Sequence, residues 1–254
     1  MVVFPMVEVS DLGKSFSDRK RGLVHAVDGV SFRCEAGRIY GLLGGNGAGK
    51  TTTLRMLATL LKPSRGRASV DGFDVMAAPH SVRSRVGFLS GGTALYGRLT
   101  AREMVEYFGR LHGLRGLALR KSVDDLFESL HIREFEDRRC DKLSTGMKQR
   151  VSIARTLVHN PPVMIFDEPT TGLDVLTARA VLGFIRECRD RGKTVIFSTH
   201  IMREAEKLCD VIGIIHRGRI VDEGSLADLF ARHHQNDLEE VFVKLVSDEE
   251  GSAS

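Results

Sequence analysis

Residues 39–57 read IYGLLGGNGAGKTTTLRML, and this stretch decides the fold. The apolar run at 39–43 is typical of a strand buried on both faces. A helix is expected from 50 to about 61, where Lys62 and Pro63 end it. Between the two, residues 44–51 match the pattern G-x-x-x-x-G-K-T in full. This order of strand, glycine loop and helix predicts a site for the phosphates of a nucleoside triphosphate.

The chemistry of phosphate binding explains the spacing of the loop. Glycines let successive backbone N–H groups point at phosphate oxygens, and the following helix adds the positive end of its dipole. The ammonium of Lys50 can reach the β- and γ-phosphates, and the hydroxyl of Thr51 can ligate Mg²⁺. A flexible glycine loop that matches by chance is the alternative, but it does not explain the strand and helix that flank it. We assign nucleotide contacts to Gly44, Gly45, Asn46, Gly47, Ala48, Gly49, Lys50, Thr51 and Thr52.

Two acids follow a second apolar strand. VMIF at 163–166 runs directly into Asp167 and Glu168. The carboxyl ends of parallel strands meet at one edge of a sheet, so these acids should lie beside the phosphate loop. Asp167 is expected to hold Mg²⁺ through water, and Glu168 is expected to polarise the attacking water as a general base. Two acids could also merely terminate a strand, but the nearby loop favours the metal and the base.

The rest of the chain alternates between strand and helix patterns. Two half-buried strands precede residue 39, and residues 68–92 are expected to form short strands and turns. Helical spacing replaces them between 100 and 139, where Thr100 and Glu103 predict a capping box. Apolar strands then alternate with helices at about 145–159, 174–191 and 200–208. The pattern predicts an α/β fold with a mainly parallel sheet, interrupted by a helical insert.

Composition places few limits on the partners of the protein. Its 254 residues are 42% hydrophobic and 28% charged, and no apolar run approaches the ~20 residues that span a bilayer. The first residues do not resemble a signal peptide, so we expect a cytoplasmic protein that reaches a membrane only through a partner. The net charge is +4, with basic clusters at 19–21, 110–121 and 133–142. Acids lie within or beside the last two clusters, which favours solvated helix faces over a nucleic-acid partner.

A third motif, LSTGMKQR at 143–150, opens the helix that leads to the carboxylate strand. With it, the order of motifs resembles the nucleotide-binding domain of ABC transporters over almost the whole chain. That family has a phosphate loop, a helical insert, an LSGGQ signature, a DEP pair, a loop ending in Leu-Asp and a later histidine. Their counterparts here are 44–51, about 93–142, 143–147, 167–169, 172–174 and His200.

The resemblance implies a P-loop NTPase core with a mainly parallel sheet, an N-terminal antiparallel β subdomain and a helical insert that carries the signature. It implies a single domain at 1–254. The α/β core would occupy about 1–92 and 160–224, the helical subdomain about 93–159, and a C-terminal helical tail about 225–254.

The resemblance also implies roles for residues that carry little information alone. Two such domains would sandwich two ATP molecules head to tail, with Ser144 and Gly146 of one contacting the γ-phosphate held by the other. Without this, Ser144 could be only a helix cap. His200 would contact the γ-phosphate in its own subunit, and Asp174 would link the two sites. Phe16 matches the aromatic that stacks on adenine, although on sequence alone it could equally be a core residue.

The chain departs from the family pattern at three points. Gly45 stands where the family usually has proline or serine, and it has a backbone N–H. Thr145 and Met147 alter the signature, in the manner of the branch of ATPases that exports drugs or sodium through separate ABC-2-type permeases. The stretches 95–114 and 237–245 support that likeness. Finally, residues 90–92 read SGG where the family has a glutamine that ligates Mg²⁺ and signals to the permease. We expect water or the Ser90 hydroxyl to take its place at the metal. We expect the surface at 93–98 to contribute to the coupling with the permease.

Three functions remain open on the sequence. The first is the ATPase of an exporter, bound to a second copy or a similar ATPase subunit, at the inner face of the cell membrane. The second is a soluble ATPase of the same superfamily acting on ribosomes or DNA, which a single domain with a compact insert disfavours. The third is a module that binds ATP without turnover, which Glu168, His200 and the signature disfavour.

Overall fold

The computed structural model describes residues 5–18, 22–90 and 94–251. A four-stranded antiparallel sheet has the order β2-β1-β4-β5. Its strands are β1 (Val7–Asp18), β2 (Gly22–Cys34), β4 (Arg65–Val70) and β5 (Phe73–Asp74). Strands β1 and β2 are longer than the sequence pattern suggested, because their outer halves are exposed and carry little apolar signal.

The second sheet has six strands in the order β10-β9-β3-β8-β7-β6. All neighbours in it are parallel except β10, which pairs antiparallel with β9. Its strands are β3 (Ile39–Leu43), β6 (Val86–Ser90), β7 (Val163–Asp167), β8 (Thr194–Thr199), β9 (Val211–His216) and β10 (Arg219–Gly224). Every residue of β3, β7 and β8 is buried, as expected for central strands covered on both faces.

Helices cover this sheet and form the insert. In the described residues they are α1 (Lys50–Leu57), α2 (Pro79–Arg85), α3 (Ala101–Leu111), α4 (Gly116–Ser129), α5 (Thr145–Leu157), α6 (Val175–Asp190), α7 (Met202–Leu208), α8 (Leu226–His233) and α9 (Leu238–Gly251). Short 3₁₀ turns at Arg133–Phe135 and Cys140–Lys142 join α4 to α5. The fold class is therefore confirmed, with an antiparallel sheet, a mainly parallel sheet and a helical insert.

Three apolar clusters form the core. The first joins α3, α4, α5 and α6 to one face of the six-stranded sheet, and the second fills the space between the two sheets around α1. The third lies under α7, α8 and α9 and includes Leu43, the last residue of the strand before the phosphate loop. The loop is thus anchored from both faces of the sheet, since Leu42 belongs to the second cluster.

Local structure differs from the sequence prediction in three places. Helix α1 ends at Leu57 and not near 61, because Thr59 adopts a left-handed φ of 59° and the N–H groups of Leu60 and Leu61 turn back to Arg55 O. Helix α2 was missed among the expected strands and turns. It buries only Val82, so it has no apolar period to detect. Helix α7 begins at Met202, two residues after the predicted start.

The four cysteines are free thiols. Cys34, Cys140 and Cys188 are buried, and Cys209 is partly exposed. Burial raises the pKa of the Cys34 and Cys188 thiols to about 12, and it also raises the pKa of Cys140 and Cys209. Within the described residues, no helix combines the length and the apolarity needed to cross a bilayer.

Candidate active site

The glycine loop between β3 and α1 is fixed by close contacts that only glycine permits. A Cβ at Gly44 would lie 2.3 Å from Ile215 O, and one at Gly49 would lie 2.6 Å from Ala26 O. Gly49 also has a φ of 106°, which favours glycine. Gly45, the first departure from the family pattern, has open space at its Cβ position. Packing therefore does not require glycine at this position, and a side chain would fit there.

The loop borders a cavity of about 450 Å³. The loop, the start of α1, one residue of β2 and one acid line it: Ala26, Asn46, Gly47, Ala48, Gly49, Lys50, Thr51, Thr52 and Glu168. Most of the residues predicted to contact nucleotide thus line this one cavity, and the N-terminus of α1 forms part of its wall. Backbone N–H groups and a lysine around a cavity of this size fit a polyphosphate.

The side chain of Lys50 lies beneath the loop and is only 4% exposed. Its Nζ donates to Gly44 O at 2.7 Å and to Gly45 O at 3.0 Å. It also forms an ion pair with Glu168 Oε1 at 3.0 Å. These three partners use all three ammonium protons, which satisfies a charge that would be costly to bury alone.

Asp167, at the end of β7, accepts hydrogen bonds from three neighbouring elements. Thr51 Oγ1 on α1 and Ser198 Oγ on β8 donate to Oδ1 at 2.9 and 3.0 Å. Ser90 Oγ on β6 lies 3.5 Å from Oδ2. Mg²⁺ prefers hard oxygen donors and commonly uses one or two carboxylates together with phosphates. The adjacent Thr51 hydroxyl and Asp167 carboxylate therefore fit the Mg²⁺ site predicted from the sequence.

Glu168 follows in an unusual backbone conformation, with a φ of 48°. Its N–H reaches both Ser198 O and Ser198 Oγ, at 3.2 and 3.1 Å. Its Oε2 accepts from Thr171 Oγ1 at 3.2 Å and lies 3.3 Å from His200 Nδ1. A left-handed non-glycine residue at the end of a buried strand is strained, and such strain is common at functional sites.

The pKa of the Glu168 carboxyl reflects opposing effects. Burial raises the pKa. The hydrogen bond and the charge of Lys50, together with His200 and Thr171, lower it by more than burial raises it, so the pKa lies below its usual value. The carboxylate is therefore ionised at neutral pH and able to accept a proton from water. A lysine that moves toward phosphates would release it for that task.

His200 lies in the turn between β8 and α7. Its Nδ1 is buried beside Glu168 and makes no hydrogen bond within the described residues, although the ring is 38% exposed. The turn is held by Thr199, whose Oγ1 donates to Glu204 Oε2 at 2.7 Å and accepts from Ile201 N at 3.0 Å. The histidine thus lies on the carboxylate side of the cavity, beside Glu168. Its contact with a γ-phosphate, which the resemblance implies, stays a prediction.

The signature residues lie away from this cavity. Ser144 caps α5, its Oγ accepting from Met147 N at 3.3 Å. Gly146 packs against Thr177 of α6, because a Cβ there would lie 3.3 Å from Thr177 Oγ1. Neither Ser144 nor Gly146 is among the described residues that line the phosphate cavity. Within its own chain, Ser144 therefore has the structural role of a cap.

Asp174 and Phe16 also lie on separate elements. Asp174 caps α6, accepting from Thr177 Oγ1 at 2.7 Å and from two backbone N–H groups, and these bonds lower the pKa of its carboxyl. Phe16 lies on β1 and is 42% exposed, which removes the alternative that it is a core residue. Lys14 Nζ lies 5.3 Å from its ring centroid. Residues 91 and 92 of the SGG stretch, and residue 93 of the coupling surface predicted at 93–98, lie outside the described residues.

Two features of the site escaped sequence reasoning. The first is Ser198, which contacts both acids; its only sequence signal is a hydroxyl at the end of an apolar strand, two residues before His200. The second is the direct ion pair between Lys50 and Glu168, which no spacing indicates. The first depends on the register of β7 and β8, in which Asp167 lies opposite Ser198. The second depends on the position of the start of α1 beside the end of β7.

Comparisons with known proteins identify the family. Residues 27–171 match the model described as ABC transporter. The chain is 44% identical over 243 residues to the ABC transporter ATP-binding protein NatA of Bacillus subtilis, covering 95% of this chain and 98% of that protein. It is 37% identical to the daunorubicin resistance ATP-binding protein DrrA3 of Streptomyces coeruleorubidus, covering 89% of this chain and 70% of that protein.

Solved structures agree with the sequence matches. An ATP-binding subunit of an ABC transporter superposes with a TM-score of 0.84 at 30% identity, covering 95% of this chain and 99% of the other. A dimeric ATP-binding cassette in a post-hydrolysis state, bound to ADP and Pi, gives a TM-score of 0.78 at 27% identity, covering 87% of this chain and 99% of the other. From its motifs, its fold and these relatives, the chain belongs to the ABC transporter family, as an ATP-binding subunit and an ATPase.

Proposed function

We propose that two copies of this chain, or one copy and a similar ATPase subunit, close around two ATP molecules and drive export through a separate membrane permease. ATP binding closes the dimer, and hydrolysis reopens it. In each site, Lys50 and the loop bind the phosphates, Thr51 and Asp167 hold Mg²⁺, and Glu168 activates water with the help of His200. The adenine stacks on Phe16, whose ring is accessible.

The separation of the two phosphate-binding motifs carries this proposal. The loop and the signature each present a helix N-terminus, which is an anion site. Ser144 and Gly146 do not line the cavity of their own chain, which supports a role for them at a phosphate held by another subunit. Val175 and Leu176, next to Asp174 at the start of α6, are 83% and 78% exposed. Their exposure supports an interface on the same side as the signature, because solvated apolar residues adjoining a site often mark a partner surface.

An apolar groove on a second surface is consistent with a membrane partner. A groove of about 340 Å³ runs between the end of α1, strand β6 and helices α3 and α5, with Leu60, Phe88, Phe108 and Arg155 in its lining. Beside it, Tyr96 and Tyr107 pack edge to face and remain 56% and 41% exposed. We propose that a cytoplasmic segment of an ABC-2-type permease binds here, which would place the ATPase at the inner face of the membrane.

The names of the relatives support export as the direction of transport. They include a daunorubicin resistance protein and a Nod factor export protein of Paraburkholderia xenovorans, which is 38% identical over 236 residues and covers 93% of this chain and 76% of that protein. We propose a substrate of comparable kind, a drug, a lipid-like compound or sodium, with its binding pocket in the permease.

A complementation experiment tests the composite site. In a Glu168→Gln background, which should trap ATP, chains with Lys50→Ala are mixed with chains with Ser144→Arg. A head-to-tail heterodimer keeps one native site, with the loop of the second chain facing the signature of the first. We expect about one trapped ATP per dimer from the mixture, about two from Glu168→Gln alone, and none from either double variant alone.

The control for this experiment is the Ser144→Arg chain by itself. If it still traps two ATP molecules, the signature does not act across the interface and the proposed dimer is wrong. Purification of the native protein from membranes then tests the partner. Recovery of a multi-spanning protein supports the exporter, whereas sedimentation with ribosomes or DNA would replace it with the alternative function.

A further inference from the structure

Three residues on neighbouring strands form one row across the carboxyl end of the sheet. Ser90 on β6 pairs with Asp167 on β7, and Asp167 pairs with Ser198 on β8. Because paired residues on adjacent parallel strands lie side by side, a hydroxyl stands on each side of the metal carboxylate. The two serines differ in their contacts, since Ser198 is much closer to the acid than Ser90.

The Ser198 hydroxyl contacts both acids. It donates to Asp167 Oδ1 at 3.0 Å and accepts from the backbone N–H of Glu168 at 3.1 Å. Ser198 is completely buried, so water cannot readily replace these bonds. A hydroxyl has one proton to donate and lone pairs to accept, and here both capacities are used.

The two hydrogen bonds of the Ser198 hydroxyl hold the carboxylate of Asp167 and the backbone of Glu168. Asp167 Oδ1 accepts from Ser198 and also from Thr51, whose hydroxyl is proposed to bind Mg²⁺. Among the described residues, the Ser198 hydroxyl donates to no other acceptor. The N–H of Glu168 belongs to a residue with a left-handed φ of 48°. Such a conformation persists only where the surroundings hold it.

We propose that Ser198 is a positioning residue of the ATPase site, whose hydroxyl fixes the carboxylate of Asp167 and the backbone of Glu168 relative to each other. The proposal rests on the roles proposed for Asp167 and Glu168 in metal binding and water activation. Ser90 supports the same carboxylate from the opposite strand. With Ser198 in place, the metal ligand and the base keep their relative position when Thr51 and Lys50 turn to other partners.

The variant Ser198→Ala removes one buried oxygen and leaves the side chain otherwise intact. Its matched control is Thr194→Val, at the first residue of the same strand. Thr194 is also completely buried, and its hydroxyl accepts from Gly37 N at 3.0 Å, away from the acids. Both variants therefore lose one buried hydroxyl on β8, but only one of them touches the site.

The main measurement is ADP binding by calorimetry with and without MgCl₂. Since the loop and Lys50 are unchanged, Ser198→Ala should bind ADP without Mg²⁺ as tightly as the wild type. The gain in affinity that Mg²⁺ provides should fall by about tenfold, as expected when a bond to a charged ligand is lost. In hydrogen exchange, the Glu168 amide should exchange faster. The kcat for ATP should fall by about tenfold with little change in KM, since the base is misplaced.

The controls separate the possible failures. Thr194→Val should retain the wild-type Mg²⁺ gain and the wild-type exchange of Glu168. If Ser198→Ala behaves like Thr194→Val in all three measurements, Ser198 is not a positioning residue. If Ser198→Ala also loses Mg²⁺-free binding, the hydroxyl has a general structural role and the proposal is equally wrong. A wild type with no Mg²⁺ gain would instead overturn the roles proposed for Asp167 and Thr51.

Discussion

The ion pair between Lys50 and Glu168 competes with the role proposed for each residue, which is phosphate binding for Lys50 and base catalysis for Glu168. The ammonium lies 3.0 Å from the carboxylate and also holds two loop carbonyls, so it cannot bind phosphates without giving up some of these bonds. The carboxylate cannot act as an unhindered base while it is paired. If the two residues have the roles proposed for them, phosphate binding and activation of Glu168 would be coupled through this ion pair.

Lys50→Met tests this coupling directly. Without the ammonium, burial remains as the main influence, so the pKa of the Glu168 carboxyl should rise above its usual value instead of lying below it. The carboxyl can be followed by ¹³C NMR across a pH titration. Thr171→Val removes a weaker bond to the same group and should raise the pKa by a smaller amount. A pKa unchanged in Lys50→Met would contradict the role given to the ion pair.

Ser90→Ala tests the residue that stands where the family has glutamine. Ser90 Oγ lies 3.5 Å from Asp167 Oδ2, which is a longer contact than that of Ser198. We expect the Mg²⁺ concentration for half-maximal ATPase activity to rise, by about threefold or less, because the contact is weak. An unchanged Mg²⁺ titration would show that Ser90 takes no part in the metal site.

At the scale of elements, the capping box of α3 is confirmed. Thr100 Oγ1 accepts from Glu103 N at 3.1 Å, and Glu103 Oε2 accepts from Thr100 N at 2.9 Å. Thr100→Ala should lower the free energy of unfolding by about 1 kcal/mol in a urea titration, whereas Thr100→Ser should cost less. Equal losses in both variants would mean that the methyl group, and not the cap, stabilises this end of the insert.

Two stacked histidines, one just after α3 and one just after α5, should make stability depend on pH. His159 stacks on His112 at 3.6 Å, and its Nε2 contacts Val86 O. Burial, together with the charges of His112 and Lys193, lowers the pKa of His159 to about 4. Below about pH 6.5 the histidine is protonated in the unfolded chain but stays neutral in the folded chain. The free energy of unfolding should therefore fall as the pH is lowered from about 6.5 to about 4.

The contribution of His159 to this loss should reach about 1 kcal/mol per pH unit near pH 5, since one proton on its ring separates the two states. Burial also lowers the pKa of His112, which adds to the loss in the same direction. Denaturant titrations at several pH values measure it. His159→Gln retains an N–H donor for Val86 and removes the titrating group, so its stability should vary less over this range. An equally steep decline in the variant would assign the pH dependence to other groups.

At the scale of the whole molecule, α6 is expected to contribute to the interface between two subunits. Leu176→Asp adds a charge to a side chain that is 78% exposed, so the monomer should keep its stability. In a Glu168→Gln background, we expect this variant to lose ATP-dependent dimerisation in sedimentation experiments. Leu117→Asp changes an 83% exposed leucine on α4 and should still dimerise. Dimerisation by both variants would exclude the start of α6 from the interface.

Much of this molecule could be predicted from the sequence because its central features are local in the chain. The strand–loop–helix unit around Lys50 and the strand ending in Asp167 have apolar runs that are hard to misread. The short helix α2 was missed because it buries a single side chain. The contact of Ser198 with Asp167 depends on the register of β7 and β8, and the pairing of Lys50 with Glu168 depends on how α1 packs beside the end of β7. Neither arrangement can be read from the local sequence.

The state of the four cysteines has a practical consequence for observing this protein at work. Burial raises the pKa of Cys34 and Cys188 to about 12 and the pKa of Cys140 and Cys209 above its usual value, so thiolates are scarce at neutral pH. Maleimide dyes react with the thiolate, so the native thiols should label slowly at neutral pH. A cysteine placed at the exposed position of Leu117 would then carry one fluorophore per chain. Energy transfer between donor- and acceptor-labelled chains could follow opening and closing in real time, without replacing any native cysteine.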